Sequence, residues 1–538
     1  MKLKVSNPIL PLALLICLGN ATAQQAGNVS TDLLRQQERE LERLRTAPPP
    51  REETLIESLP DRQQPAASEA DISFVLKKLV FGESSILPAR ELEAIAAEYV
   101  GKTISFAELQ QVVGRINALY DARGFATARA VLPAQRISQG EVRIELVEGR
   151  IGKLKVEGNR YIGDSYITER LQLEPGELVD PTALENTLSR FNRLSQARLT
   201  AALQPGEGFG LTDIYLRMQE PKRNRLDLFM NDHGYRSTGR ESAGLFFQHY
   251  GLAGRDDSLV LFLSGSEGTS AGSVSYDYPF NRYGGRVGIR AGKSRAKVIN
   301  GPFRDIDSRS VSENANLSVS HPLWSNREWL VSGQLNHGQQ RTTNTISGVL
   351  LNKNRVTTNQ LELSSLYSTP GRSLYLTVNV QKARSEMQGT PYRESFTVTG
   401  GTWQFSQAWT PRLHTAFSGA WQYARRDGIP SSLVFQIGGP STVRGYRQGE
   451  LAGDGGAFGN LQANYQITEQ VGVFAFYDRG VVDASFRQPE HLESAGIGTA
   501  WKFGDRVSGE IIVGKPLKNV RSEQERYQVN ARLVFHLL

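Results

Sequence analysis

From residue 222 onwards, apolar and polar residues alternate along the chain with a period of two. Leu374, Leu376, Val378 and Val380 stand against Tyr375, Thr377, Asn379 and Gln381. Leu461, Ala463, Tyr465 and Ile467 stand against Gln462, Asn464 and Gln466. Near the end, Tyr527, Val529, Ala531, Leu533, Phe535 and Leu537 stand against Gln528, Asn530, Arg532 and His536. Successive side chains of a strand point to opposite faces, so each segment has one apolar and one polar side. About sixteen such segments occur, most near the ~9–11 residues of a tilted membrane strand. They start near Leu226, Ser242, Asp257, Ala271, Gly285, Arg309, Trp329, Asn354, Ser373, Phe396, Leu413, Phe458, Val471, Ala495, Arg506 and Arg526.

The connections also sort by length. Those after even segments are short, as at Asn281–Gly284, Thr369–Gly371 and Gly504-Asp505. Those after odd segments are mostly long: Arg295 to Ser308, Thr342 to Lys353, Arg384 to Ser395 and Arg426 to Ala457. Short turns at one end and longer loops at the other predict a transmembrane antiparallel β-barrel, mainly β in class, over 222–538. Its apolar faces meet lipid and its polar faces line a wet lumen. A soluble sandwich gives no reason to sort its loops this way. An even strand count brings both ends of the barrel chain to one side.

Upstream, residues 71–221 carry the same pattern twice, as β-α-α-β-β units over 71–149 and 150–221. The first has a strand over Ile72–Phe81, helices over Pro88–Glu98 and Ser105–Arg123, and strands over Ala126–Leu132 and Glu141–Glu148. The second has Lys153–Glu157, helices at Asp164–Leu173 and Pro181–Leu194, and strands at Arg198–Leu203 and Leu211–Gln219.

Residues 1–23 read as an export signal. Lys2 and Lys4 precede an apolar run from Ile9 to Leu18, and Ala21-Thr22-Ala23 forms a small-x-small cleavage site. Residues 24–46 hold a polar helical stretch, Asp32 to Arg45, whose thin apolar stripe is Leu33, Leu34, Leu41 and Leu44. Ala47-Pro48-Pro49-Pro50 stops it, and 47–70 reads as a Pro-rich polar linker.

Composition narrows the chemistry. Among 538 residues the only cysteine is Cys17, inside the export signal. Disulfides, CxxC metal sites and a cysteine nucleophile are thereby excluded from the processed chain. The net charge of +7 is spread without a dense Lys/Arg patch in sequence, so nucleic acid is not implied. The seven histidines are scattered singly, with no metal-binding spacing and no cofactor motif. Gly268-Thr269-Ser270-Ala271-Gly272 matches G-x-S-x-G, but a nucleophile elbow needs a strand before it and a helix after it. Here it falls between two barrel segments, so a hydrolase is set aside.

The longest connection contains Gly438-Gly439-Pro440-Ser441-Thr442-Val443-Arg444-Gly445-Tyr446, and two segments on comes Phe476-Tyr477-Asp478-Arg479-Gly480. With these motifs the whole chain resembles the TpsB family of two-partner secretion transporters, such as those for filamentous haemagglutinin and haemolysin. These belong to the superfamily of POTRA-bearing barrels. The resemblance implies a plug helix at 24–46, two periplasmic POTRA-like domains and a monomeric barrel in outer-membrane lipid. It implies no cofactor, no enzymatic activity and no ATP. Residues 71–221 are expected to bind a large secreted exoprotein through its N-terminal secretion domain. An exposed sheet edge plus a neighbouring helix groove is the expected means, because strand addition demands little of the client's sequence; which edge is open. The loop with Val443, Arg444, Gly445 and Tyr446 is expected to fold back into the barrel. Phe476, Asp478 and Gly480 are expected on the wall, with Asp478 pairing to Arg444. Parity alone does not fix this, because Asp478 shares a face with Phe474 and Phe476. Family barrels usually end in an aromatic residue; here Phe535 is displaced inward by His536-Leu537-Leu538. A barrel-assembly insertase and a passive porin are the alternative readings.

Overall fold

The computed structural model describes residues 55–57, 73–125, 127–301, 303–483 and 488–538. The export signal, the helical stretch with Leu33, Leu34, Leu41 and Leu44, and most of the linker lie outside the described residues. Glu53–Pro221 and Lys222–Leu538 form separate compact units.

In the first unit the β-α-α-β-β order occurs twice. Strands Ser73–Val75 and Lys78–Phe81 are followed by helices α1 (Ala89–Ala97) and α2 (Phe106–Ala122), then strands Arg129–Val131 and Glu141–Val147. One continuous strand was expected over Ile72–Phe81. Instead the chain breaks at Leu76, whose side chain is fully buried and whose carbonyl accepts the Gly101 N–H at 2.8 Å. Ser73–Val75 therefore pairs with Thr103–Ser105, while Lys78–Phe81 runs parallel to Glu141–Val147. Helix α2 starts at a reciprocal capping box between Ser105 and Glu108. It buries Leu109, Val112, Ile116 and Tyr120, a helical stripe against the sheet.

The second half runs Arg150–Glu157, α3 (Asp164–Leu171), α4 (Pro181–Leu194), Arg198–Pro205 and Leu211–Gln219. Asp180 caps α4 by accepting the Thr182 and Ala183 N–H groups at 2.8 and 3.0 Å, with Pro181 in the first turn. An unexpected strand completes this sheet. Ile56–Glu57, from the segment read as polar linker, lies parallel to Arg198–Pro205. The Ala201 N–H donates to the Leu55 carbonyl at 2.8 Å. Leu55-Ile56 is an adjacent apolar pair in an otherwise polar stretch, which suits it to a half-buried sheet edge.

A carboxylate fixes the same loop in both halves. Glu148, just past its strand, accepts the Ser85 and Ile86 N–H groups at 2.9 and 3.1 Å and the Ser84 hydroxyl at 2.6 Å. Glu220, just past the matching strand, accepts the N–H groups of Arg160, Tyr161 and Ile162 at 2.8, 3.0 and 2.8 Å. Each side chain ties the end of its sheet to the loop entering the first helix.

The second unit is a closed barrel in which every strand is antiparallel to its neighbours. It runs from Asn224–Asn231 to Gln528–His536, and these two strands pair to close it, from Asp227↔His536 to Asn231↔Arg532. Sixteen strands make the wall. Those starting at Ser242, Trp329, Leu413 and Val471 begin where the alternation places them. Outward residues such as Leu335, Leu361 and Ile497 are 59–65% exposed, while Ser312, Thr377 and Asp478 face inward and are buried.

The loop pattern needs correction. Thr342 to Lys353 is not a loop. Strands Trp329–Ile346 and Val349–Thr369 continue through it and turn at Ser347-Gly348, both at positive φ. Arg384 to Ser395 is likewise mostly strand, leaving only 388–392 as the connection. The central strands reach 16–21 residues, longer than a bilayer needs. Polar residues such as Thr, Asn and Arg keep alternating on these extensions, so their ladders continue beyond lipid. The long connections are 232–241, 298–307, 425–454 and 517–527.

Burial pushes the Glu148 carboxyl up, but hydrogen bonds from Ser84, Ser85 and Ile86 outweigh it and hold the pKa below the ordinary carboxylate value. A depressed pKa contributes stability above the unfolded-state pKa, and that stability is lost as pH falls through the folded-state value. Glu148→Gln should weaken this loop by about 1–3 kcal/mol at neutral pH. Amide exchange of residues 85–87 in the full-length protein should rise at least about tenfold, with the difference shrinking as the wild-type group protonates. Equal exchange at pH 7 would refute the clamp.

Candidate functional site

The connection 425–454 is the longest in the barrel. It carries its own small ladder, Phe435–Ile437 with Leu451–Gly453. Between these strands lie Val443, Arg444, Gly445 and Tyr446. Gly438, Gly439, Gly445 and Gly449 all have positive φ, so the chain can turn repeatedly in a small space.

The wall facing this segment is set by strands Gly455–Gln466 and Val471–Asp483. Asn460 stands directly opposite Asp478 in their ladder. Leu461, Tyr465, Val473 and Tyr477 face outward and are exposed, whereas Asp478, Phe474 and Phe476 face inward and are buried. The two inward phenylalanines lie across glycines of the next strand. A Cβ at Gly496 would meet the Phe476 ring at 2.5 Å, and one at Gly498 the Phe474 ring at 2.2 Å. Aromatic rings over strand glycines cover the gap those glycines leave.

Arg444 reaches this wall. Its Nε donates to Asp478 Oδ2 at 2.8 Å and its Nη2 to Asp478 Oδ1 at 2.7 Å. Its backbone N–H donates to the same carboxylate at 2.9 Å, and Nη1 donates to Gln462 Oε1 at 2.5 Å. The guanidinium lies 3.6 Å from the centroid of Phe476. Asp478 is fully buried and Arg444 is 7% exposed. The planar fork of arginine matches a carboxylate in this bidentate geometry, and its face stacks on an aromatic ring.

The neighbours of Arg444 fix the loop on both sides. Val443 is buried against Ile437, Val482 and Leu492. Gly480 makes room for it, because a Cβ there would lie 3.0 Å from Ile437 and from Val443. Gly445 passes over strand Val507–Pro516 so closely that a Cβ on Gly514 would lie 2.6 Å from the Gly445 nitrogen. The Tyr446 hydroxyl lies 2.8 Å from the carbonyls of both Glu493 and Lys518 and 3.3 Å from their N–H groups. Asn460 Nδ2 donates to the Thr442 carbonyl. The loop is therefore held by charge, ring stacking, apolar packing and backbone hydrogen bonds together.

Sequence reasoning missed Gln462, Asn460 and Gly514. The first two stood on the polar face of their segment, which signalled only a lumen position. Gly514 gave no signal, because close backbone approach depends on which loop lies above it. Ser270 of the G-x-S-x-G match sits on strand Thr269–Pro279, after a turn at Glu267-Gly268. No helix follows it, so it is not an elbow.

Fold and site together define a POTRA-bearing outer-membrane β-barrel transporter with a loop anchored to its inner wall. The profile of the haemolysin secretion/activation protein family ShlB/FhaC/HecB matches residues 210–503, and the ShlB-type POTRA domain matches residues 74–149. The chain belongs to this family of two-partner secretion transporters. It is 22% identical over 472 residues to the heme/hemopexin transporter protein HuxB of Haemophilus influenzae (strain 86-028NP), covering 81% of this chain and 82% of that one. It is 23% identical over 415 residues to the outer membrane transporter CdiB of Dickeya dadantii (strain 3937), covering 73% and 72% of the two chains. The solved structure of CdiB from Escherichia coli superposes with a TM-score of 0.66 at 18% identity, covering 95% of this chain and 99% of that one.

Arg444→Lys keeps the charge but cannot reproduce the bidentate fork, the Gln462 bond and the ring stack at once. Amide exchange across residues 438–450 should then rise at least about tenfold, while exchange in the barrel strands stays unchanged. Unchanged loop exchange would show that the charge alone suffices.

Proposed function

We propose that this transporter captures one large partner protein through residues 71–221 and passes it through the barrel lumen to the cell surface. The observation that carries the reading is the anchoring of loop 425–454 on the inner wall by Arg444 and Asp478. A passive pore has no use for the POTRA domain matched over residues 74–149 ahead of the barrel. In the proposed cycle the loop holds the lumen in its resting arrangement, and the helix of residues 24–46 blocks what remains. Partner binding releases both, the unfolded partner threads through, and its folding outside supplies direction without ATP. Neither catalysis nor a cofactor enters this cycle.

Two β-α-α-β-β units would serve as the receiving surface, with boundaries near 71–149 and 150–221. Strand addition at the Arg198–Pro205 edge is the proposed mode of capture. It is supported by the chain's own segment, since Ile56–Glu57 already lies on that edge as an added strand. The partners of relatives differ, and their names include heme/hemopexin and hemolysin transporters. The class of partner proposed here is therefore a large extended exoprotein rather than a particular cargo.

Deleting residues 71–150 should leave a heat-modifiable, membrane-inserted barrel but abolish surface delivery of the partner. Delivery that survives the deletion would overturn the recognition step. Replacing Leu55-Ile56-Glu57 by Gly-Ser-Gly removes the competing strand. The full-length variant should bind the partner's secretion domain several-fold more tightly, measured by isothermal titration. Equal or weaker binding would place capture at another edge.

A further inference from the structure

Loop 425–454 meets more than the inner wall. It also touches the two loops that flank the closing seam, 232–241 after the first barrel strand and 517–527 before the last. All three loops leave the wall where odd strands finish, at the end opposite the barrel's chain ends.

The contact centres on one carboxylate. Glu525, in loop 517–527, accepts Nη2 of Arg447 from loop 425–454 at 3.1 Å. Through the same oxygen it accepts Nη2 of Arg236 from loop 232–241. Burial pushes the Glu525 carboxyl up, but the Arg447 hydrogen bond and the charges of both arginines outweigh it and hold its pKa below the ordinary carboxylate value. Glu525 is therefore ionised at neutral pH. Two further contacts fix the loops around it. The Tyr235 hydroxyl donates to Gln436 Oε1 at 2.9 Å, and its ring lies against Gly449, where a Cβ would meet it at 2.7 Å. Arg521 Nε donates to Glu450, whose side chain is almost fully buried.

This arrangement has a definite sense. Arg236 and Arg447 are like charges brought to one oxygen. With the carboxylate between them the two loops are drawn together, and without it they repel. The side chain of Glu525 is 30% exposed and that of Arg236 41%, whereas Asp478 is fully buried. Exposed ion pairs are modest in strength and screened by salt. The bridge is therefore easier to exchange than the inner pair. Arg447 lies three residues beyond Arg444, and three residues of extended chain span at most about 10 Å. While Glu525 holds Arg447, the tip of the loop cannot travel far from Asp478.

We propose that Glu525 is a second, external positioning residue for the lumen loop, tying it to both loops at the seam, so that release from the inner wall also requires release here. The inference rests on the reading that loop 425–454 leaves the wall during transport.

The test is single-channel current of the purified full-length protein in planar bilayers, which reads loop release as open probability. In about 0.1 M salt, Glu525→Gln should raise it roughly threefold or more. Arg444→Lys, which loosens the inner anchor, should raise it too, and the double variant should exceed either. Raising salt to about 1 M shortens the screening length from about 10 to about 3 Å. Wild type should then approach the Glu525→Gln level, while the variant changes little. The triple reversal Arg236→Glu/Arg447→Glu/Glu525→Arg should return open probability towards wild type, which a merely structural contact would not do. Heat-modifiable migration of every variant secures the fold. If Arg444→Lys opens the channel and Glu525→Gln does not, the external anchor is overturned and the inner one stands. If the triple reversal stays as open as Glu525→Gln, charge is not the device and the proposal falls. If neither single variant opens the channel, the proposal falls together with the reading of the loop as the holder of the lumen.

Discussion

The closed backbone ladder is the constraint from which the rest of this structure follows. In hydrocarbon no water can satisfy an unpaired N–H or C=O, so an open sheet edge is excluded. Pairing of Asn224–Asn231 with Gln528–His536 removes the last edge. Once the wall is closed, the period of two leaves no freedom: alternate residues must face lipid, and the rest must face each other across a polar interior. That interior is where a carboxylate such as Asp478 can sit fully buried and still be paired.

Closure also determines what the Arg444–Asp478 pair can do. Removing one partner of a buried pair typically costs about 3–5 kcal/mol, yet replacing both by well-packed apolar groups is often neutral. The pair is therefore weak support for the barrel, whose ladder holds without it. Its strength lies in position, because only one placement of the loop satisfies the carboxylate. The loop N–H, the guanidinium fork and Gln462 converge there, with Phe476 as the floor. Gly480 and Gly514 extend the same logic to the backbone, since each is a point where the wall yields volume to the loop. In the proposed cycle a loop held this way leaves as a unit, because its contacts converge on one carboxylate.

The barrel was legible because lipid enforces alternation over the whole width of a strand. Ser242, Trp329, Leu413 and Val471 begin their strands where the pattern begins. The extent of the central strands was not legible, because beyond lipid both faces are polar and the outward apolar signal ends near Leu361 and Val380. Thr342 to Lys353 therefore looked like a loop, although the ladder runs on to Ser347-Gly348. Arg444 and Asp478 stood out through their motifs, but their orientation did not, since Phe474 and Phe476 share the inner face. Only the glycines of the neighbouring strand explain why rings belong there, and that register lies in the pairing rather than in either segment alone. Glu148 and Glu220 were invisible for a related reason. Each looks like an ordinary charged residue until the loop it caps is brought beside it.

The groups that the barrel must close are left available in the sheets of the first unit, and this contrast separates the tasks of the two. A sheet in water can present an edge, because solvent satisfies it until a strand arrives. Here Ile56–Glu57 covers two residues of an edge eight residues long. At roughly 1 kcal/mol net per hydrogen bond, so short a ladder holds its place only weakly. An extended segment matching the whole of Arg198–Pro205 could form several more bonds than this one, which is what the proposed capture by displacement uses. On the proposed reading the linker is thus a placeholder. It keeps the edge from pairing with the wrong strand, and it yields to any segment long enough to use the rest of the edge.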